Sequence, residues 1–557
     1  MAPCRPHRIL VIGHCTYASD DGLWSACCAL RRQGHAVELL DPQRVPGILD
    51  GQGRPDDEAL GAFRATFRPD IVACGEEECE QVLATLGAPG GQGVPAELRP
   101  RHFVVFGYVG KHNFGDELIF SVICERLRRR YPGCFVTLVG HDPQNSLRDW
   151  GVASVTPFDK ADIDAALYGA SALILMAGIM FDGPFSNTAG RVDLFLNPHS
   201  EIAGQAALTE LAYIDHVPVV YLGVGAGPLE NPDARRIVRL ASLTRPRYVA
   251  RDDATRDLLL ACGVDAGLVT RKADLAFSIA PEGPLPGAGA PLPGDDPDGD
   301  AYVVVSLRDH ESADEGLAGR VAQALDLVWE RRRVRALFVD AAPEDEGANR
   351  RVIGLMGAGA AAAAHVANAS VARTVGLICG ARACLAMRLH CSIVASAQGV
   401  PCVGIDYNVK VAQVYRQLGR EHLLLEPGST SDEIASAVLA ALDEGPRARQ
   451  VTAEAVAGNR RLAEEAFDEL FSVVDAHEPY LAPRPSYPRS QAFAEMAAHD
   501  LQARLELAEQ QRAELAGQLA TARRELDEAR GSTAWKVGRF VTWVPRRLKD
   551  LVQSLRR

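Results

Sequence analysis

Between Ala386 and Lys410 the chain reads AMRLHCSIVASAQGVPCVGIDYNVK: an apolar strand running into Arg388-Leu389-His390, a short helix, a second apolar strand, then Tyr407 and Lys410. Strand alternation through this stretch puts Arg388 and His390 on one side, at the carboxyl end of a strand, where open α/β sheets bind ligands. Arginine offers a planar fork matched to carboxylate or phosphate, lysine a point charge, and histidine a group that moves a proton near neutral pH. A second apolar strand, Tyr302 to Leu307, ends in Arg308. Taken singly, a strand-end cation is more often solvated or structurally paired than functional. Arg308, Arg388 and Lys410 around one imidazole are together equipment for a small, highly charged anion.

These residues need a scaffold with two strand-bearing halves, and the rest of the chain reads that way. At 557 residues it is too long for one core. Arg8 to Gly13, Gly22 to Gln33, His35 to Asp41 and Asp70 to Cys74 read as strand, helix, strand and strand, a small N-terminal α/β domain over residues 1–88. Gly13 lacks the partners of a dinucleotide-binding fingerprint, so scaffolding or partner docking is the expected role of this domain. Ala88 to Pro100 is rich in Gly and Pro and reads as a linker.

From residue 101 to 280, strands at Phe103–Phe106, Phe135–Val139, Ala172–Met176, Val217–Leu222 and Tyr248–Ala250 alternate with helical patterns, as in a doubly wound sheet. Residues 280–300 break all periodicity. Residues 301–476 then repeat the scheme, with strands starting near Tyr302, Ala336, Leu385 and Cys402. The expected fold is α/β, two Rossmann-like lobes facing across a cleft.

Composition narrows the function classes. An apolar fraction of 47% with 24% charged residues is that of an ordinary globular chain, and a formal charge of −13 argues against a general nucleic-acid binder. The thirteen cysteines form no CxxC pair and read as buried thiols of a reducing compartment, not as a disulfide framework or zinc site. The first apolar run is too short for a signal peptide, and no stretch approaches the length of a membrane span. The expected location is cytoplasmic.

Four segments in order resemble the polysaccharide pyruvyl transferase family. Gly107-Tyr108-Val109-Gly110-Lys111-His112-Asn113-Phe114-Gly115-Asp116-Glu117 is similar to its opening glycine-rich turn, and Ser306-Leu307-Arg308 to its second-half strand. Arg388-Leu389-His390, followed by the small-residue helix and Gly399-Val400-Pro401, resembles its most recognisable stretch, and Tyr407 to Lys410 the turn after it. The resemblance covers about residues 102 to 475. One segment departs from it: Ala177-Gly178-Ile179 stands where the family usually has a glycine triplet after a strand.

The resemblance implies a glycosyltransferase-B-like arrangement and transfer of pyruvate from phosphoenolpyruvate onto a glycan or lipid-linked sugar as a ketal, in cell-surface polysaccharide biosynthesis. Such a reaction needs cations for the donor's carboxylate and phosphate, a proton donor for its methylene carbon, and a base for the sugar hydroxyls. Arg308 and Arg388 would clamp the donor, Lys410 would neutralise the departing phosphate, and His390 would protonate the methylene carbon or serve as another phosphate ligand. Asp116 and Glu117 would bind or deprotonate the sugar; their alternative is helix capping by Asp116 with dipole support from Glu117. Asn113 and Asp182 are further substrate-side candidates. No cofactor or metal is expected.

Leu501, Leu505, Ala508, Arg512, Leu515, Leu519, Ala522 and Leu526 form a heptad seam, so residues 490–530 read as a short coiled coil that makes a homo-oligomer or binds a partner, with a single helix packed on the enzyme as the alternative. Residues 532–557 carry seven Lys/Arg against one Asp beside Trp535, Phe540 and Trp543. That composition suits an amphipathic tail on an anionic membrane surface, at the inner face of the plasma membrane, or a solvated, frayed terminus. Two rival functions fit the same sequence: a nucleotide-sugar glycosyltransferase of the same architecture, and a non-catalytic scaffold of glycan assembly.

Overall fold

The apolar runs become strands with both faces covered, as parallel sheets require. The computed structural model describes residues 5–15, 22–86, 94–157, 160–176, 201–227, 229–279, 301–308, 316–407 and 409–481. Ala177-Gly178-Ile179, Asp182 and the break at 280–300 lie outside them. The chain divides into two units, Met1–Arg484 and Pro485–Arg557. The heptad seam and the basic tail fall in the second unit, outside the described residues.

The first unit is mixed α/β with three parallel sheets. The smallest holds β1 (Arg8–Ile12), β2 (Ala36–Leu40) and β3 (Ile71–Cys74) in the order β2-β1-β3. The second holds β4 (His102–Phe106), β5 (Phe135–Val139), β6 (Ala153–Val155), β7 (Ala172–Met176), β8 (Val219–Val224), β9 (Arg247–Ala250) and β10 (Val269–Arg271), ordered β10-β9-β8-β7-β4-β5-β6. The third holds β11 (Tyr302–Ser306), β12 (Arg335–Val339), β13 (Ala364–Val366), β14 (Ala383–Ala386), β15 (Cys402–Ile405) and β16 (Leu424–Leu425), ordered β13-β12-β11-β14-β15-β16. In both large sheets the first strand in sequence is central and the order reverses beside it, which opens a crevice at the carboxyl ends there.

The edge strands β6, β10, β13 and β16 are absent from the sequence reading, because two or three residues carry no alternation to detect. Residues 94–100 of the expected linker are also tied down more than its composition implies. Val94 is buried and donates its N–H to Gln33 O at 2.9 Å, and Arg99 Nε closes back on Val94 O at 3.0 Å. One apolar side chain anchors this segment to the end of the helix Gly22–Arg32.

Two features join the large sheets. Phe114 and Leu118, at the start of the helix Phe114–Arg130, share a buried cluster with Ala276 and Phe277 and with Val339, Ala341, Cys391 and Val394 of the other half. The long helix Pro446–Asp475 contributes Val456 and Ala463 to that cluster, then Phe467, Leu470 and Val474 to the core of the β4-centred sheet. Burying Phe467 and Leu470 contributes about 1.5–3 kcal/mol each. Polar ties line the same helix: Arg126 with Glu464, Lys272 with Glu465 at 2.8 Å and Arg247 with Glu469 at 2.9 Å. The carboxyl ends of β4 and β12 are thereby brought together, and the Phe114 N–H donates to Ala341 O at 2.7 Å.

Candidate functional site

The glycine-rich turn after β4 is built around Glu117. Gly110 has φ +89, where a side chain is strained, and a Cβ there would also press on the Asp142 backbone. The buried Glu117 carboxylate accepts the N–H groups of Gly110 at 2.8 Å and His112 at 3.3 Å, and Trp150 Nε1 donates to its other oxygen. Glu117 therefore shapes the turn and does not face a sugar as the sequence reading expects, a correction that follows from where its two oxygens are spent. Burial pushes its carboxyl up, and those hydrogen bonds pull it back. Asn113, expected to contact substrate, is the helix N-cap and accepts the Gly115 N–H at 3.2 Å; Asp116 is not the cap.

The opposite wall is the turn after β12. Asp345 accepts the N–H groups of Ala341 and Ala342 at 3.2 and 3.1 Å. Its carboxylate also meets Arg388 Nε at 2.9 Å and Nη2 at 2.5 Å, and Glu344 takes the same Nη2 at 2.8 Å. Arg388 is 9% exposed and Asp345 0%. The expected donor clamp is thus a bidentate protein ion pair, which corrects the reading of Arg388 as a cation available to a ligand. The alternation argument also fails here. β14 stops at Ala386, Arg388 is the N-cap of the helix Leu389–Ala397, and His390 lies in its first turn.

That turn carries His390 across to the other half. Gly115 lies against the imidazole so closely that a Cβ there would overlap Nδ1 and its neighbouring ring atoms. On the far side, His390 Nε2 stands 3.6 Å from Asp274 Oδ2, and among the described residues no acceptor comes within hydrogen-bond distance of it. Asp274 also takes Arg251 Nη1 at 3.1 Å. Burial alone would raise the Asp274 carboxyl, but His390 and Arg251 overcome it and hold it at about 2. Asp116 behaves oppositely: burial pushes it up to about 6, with His390, Arg251 and Arg388 pulling against that rise. Two carboxyls beside one imidazole with separated affinities for a proton are the pattern of an acid–base site.

A model of the family described as polysaccharide pyruvyl transferase matches residues 113–409, more than half of the chain. The chain belongs to that family. The matched stretch begins on the N-cap Asn113 and holds Asp116, Glu117, Arg251, Asp274, Arg308, Glu344, Asp345, Arg388 and His390, while Gly110 and His112 precede it and Lys410 follows it. No curated protein matches the chain. Among solved structures, it is similar to a putative UDP-N-acetylglucosamine 2-epimerase of Listeria monocytogenes, with 10% identity, a TM-score of 0.49 and coverage of 69% of this chain and 100% of that one. The UDP-GlcNAc 2-epimerase of Neisseria meningitidis gives 11%, 0.44, 67% and 100%. Anabaena Alr3699/HepE in complex with UDP gives 13%, 0.44, 68% and 100%. All three likenesses are too distant to carry a substrate or an activity.

The remaining expected residues fall as follows. Arg308 follows β11, with its guanidinium carbon 5.6 Å from the centre of the Tyr407 ring. No hydrogen-bond acceptor reaches its buried Nε among the described residues. It lies close enough to Glu344 and Asp345 for its charge to work, beside that of Arg388, against the rise that burial imposes on both carboxyls. Lys410 sits in the first turn of the helix Val409–Gln417, half-buried. Asp182 lies outside the described residues. Sequence reasoning missed Arg251, Asp274, Glu344 and Asp345. The signal for the last two was the acidic run Pro343-Glu344-Asp345-Glu346 one short step after a strand end, opposite unpaired arginines in the reading.

Proposed function

We propose that this protein transfers pyruvate from phosphoenolpyruvate to two hydroxyls of a glycan or lipid-linked sugar, forming a ketal in cell-surface polysaccharide biosynthesis within a glycosyltransferase-B-like pair of lobes. The observation that supports it most is His390, wedged between Gly115 and Asp274 of one half while Arg308 stands at a strand end of its own half. The donor's methylene carbon takes a proton from His390, leaving positive charge at the adjacent carbon. A sugar hydroxyl adds there and gives its proton to Asp116. Inorganic phosphate departs, held by Arg308 and Lys410, and the second hydroxyl closes the ketal as its proton passes to that phosphate. Phosphate release on incubation with phosphoenolpyruvate and a panel of lipid-linked or nucleotide-linked sugars tests the reading. Thermal stabilisation by a nucleoside diphosphate and none by phosphoenolpyruvate would overturn it in favour of glycosyl transfer.

Arg308→Ala removes a charge-assisted clamp without breaking a bidentate protein pair. Donor binding should weaken by about 2–3 kcal/mol, with the unfolding midpoint close to the parent's. Calorimetric titration with phosphoenolpyruvate measures it, and unchanged affinity would remove Arg308 from the donor site.

The sign of the pH dependence follows from Asp116. A base must be ionised, so with its carboxyl at about 6 the value of kcat/KM should rise as pH passes upward through that region. Asp116→Asn should abolish this limb and leave a low, flat rate. A limb that persists in the variant would assign it to another group.

Assembly and membrane contact belong, in this proposal, to the chain beyond Pro488. No helix among the described residues is long and apolar enough to cross a membrane. A chain ending at Pro488 should keep phosphoenolpyruvate binding, lose salt-sensitive sedimentation with anionic vesicles, and show a lower mass in light scattering. Retention of vesicle binding and mass would contradict this division.

A further inference from the structure

We infer that Asp274 is a positioning residue that fixes the His390 imidazole and the Arg251 guanidinium in one arrangement across the cleft. The inference rests on the reading of His390 as proton donor. Each oxygen of Asp274 has its own task. Oδ1 accepts the Ala276 N–H at 3.0 Å and caps the short turn Leu275–Ser278, which anchors the carboxylate to the backbone. Oδ2 faces two cationic groups from two directions, Arg251 Nη1 at 3.1 Å from the end of β9 and His390 Nε2 at 3.6 Å from the other half.

Arg251 is itself fenced in. It is 5% exposed, its Nε lies 3.5 Å from Asp252, and Gly225 leaves room for its guanidinium where a Cβ would collide with it. The imidazole has the opposite problem. Its Nδ1 side faces space that Gly115 leaves open and a Cβ would fill, its Nε2 has no hydrogen-bond partner among the described residues, and the Asp274 carboxylate is the acceptor that Nε2 approaches. The charged groups around His390 are Asp274 and Arg251 after the first-half strands, Asp116 on the helix Phe114–Arg130, and Arg388 at the cap of its own helix. Asp274 is 3% exposed and held ionised by the cations beside it, so it supplies a fixed negative charge that orients the ring.

The test uses the full-length protein with labelled histidine and no substrate, so it does not depend on pyruvyl transfer. In Asp274→Asn the Oδ1 cap can be kept, while at the Oδ2 position the charge and the acceptor for Arg251 give way to an amide N–H. The His390 imidazole should then respond to pH differently from the parent's, holding its proton less well once the facing charge is gone. In active preparations the kcat/KM profile should shift in the same direction. A purely structural role would leave the titration where it is, and an unchanged midpoint in folded protein overturns the inference. Should Asp274→Asn fail to fold, the reciprocal measurement decides: in His390→Asn the Asp274 carboxyl should titrate at higher pH than in the parent, and no movement overturns the inference. Moved titrations without any phosphate release would sink the functional reading while leaving Asp274 coupled to His390.

Discussion

His390→Asn should lower kcat by about 10²- to 10⁴-fold while phosphoenolpyruvate binds nearly as tightly as before. Asparagine fills similar space at the first turn of the helix Leu389–Ala397 and still offers an N–H, but it has no proton to give. The loss is therefore confined to the transition state, in which the methylene carbon takes the proton. Two measurements separate this from anion binding. Calorimetry should give a donor affinity within a few fold of the parent's, and single turnovers should be slow even at saturating donor. In deuterated water the parent should place one solvent deuterium in the new methyl group. An equal loss of affinity and rate would make His390 a phosphate ligand, and the proton would then have to come from Asp116, whose carboxyl at about 6 is protonated at moderately acid pH.

What could be read from the sequence was local. The apolar runs named β4, β5, β7, β11 and β15 to within a residue or two, because a buried parallel strand is a short block of Val, Ile, Leu and Phe between turn residues. What failed depended on partners far away in the chain. Glu117 looked available until Trp150, 33 residues on, supplied a donor to its carboxylate. Arg388 looked like a ligand clamp until Asp345, 43 residues before it, proved to be its partner.

Reading Arg388-Leu389-His390 as strand was a different error. The alternation of polar and apolar residues there is equally that of a capping residue and the first turn of a helix, and three residues cannot separate period 2 from period 3.6. The consequence is chemical as well as structural. Arg388 faces its own half's acidic turn, while His390 crosses to Gly115 and Asp274, so the two residues do different work.

Arg388→Ala should accordingly show itself first as lost stability. The substitution leaves Asp345, fully buried, without its bidentate partner and with only the more distant charge of Arg308, and frees Glu344 from its ion pair. Breaking one side of a buried pair costs about 3–5 kcal/mol, a large part of what holds a domain of this size folded. The turn after β12 is held by the same carboxylate through Ala341 and Ala342, and Ala341 O is the acceptor for Phe114, so loosening propagates to the junction of the two halves.

The pH dependence carries the sign of the cause. Burial already raises the Asp345 carboxyl, with Arg388 pulling it down. Without Arg388 it should rise further. An acid raised in the folded state favours folding below its unfolded value near 4 and loses that advantage as pH climbs through its folded value. The deficit of the variant should therefore be largest at neutral pH and shrink as pH is lowered toward 4 to 5. Urea unfolding at pH 7.5 and pH 5 measures it. Asp345→Asn in the same chain should recover part of the loss at pH 7.5, since it removes the stranded charge. If Arg388→Ala instead keeps the parent's unfolding midpoint at both pH values and loses only phosphoenolpyruvate affinity, the pair with Asp345 is dispensable and the guanidinium serves the donor after all.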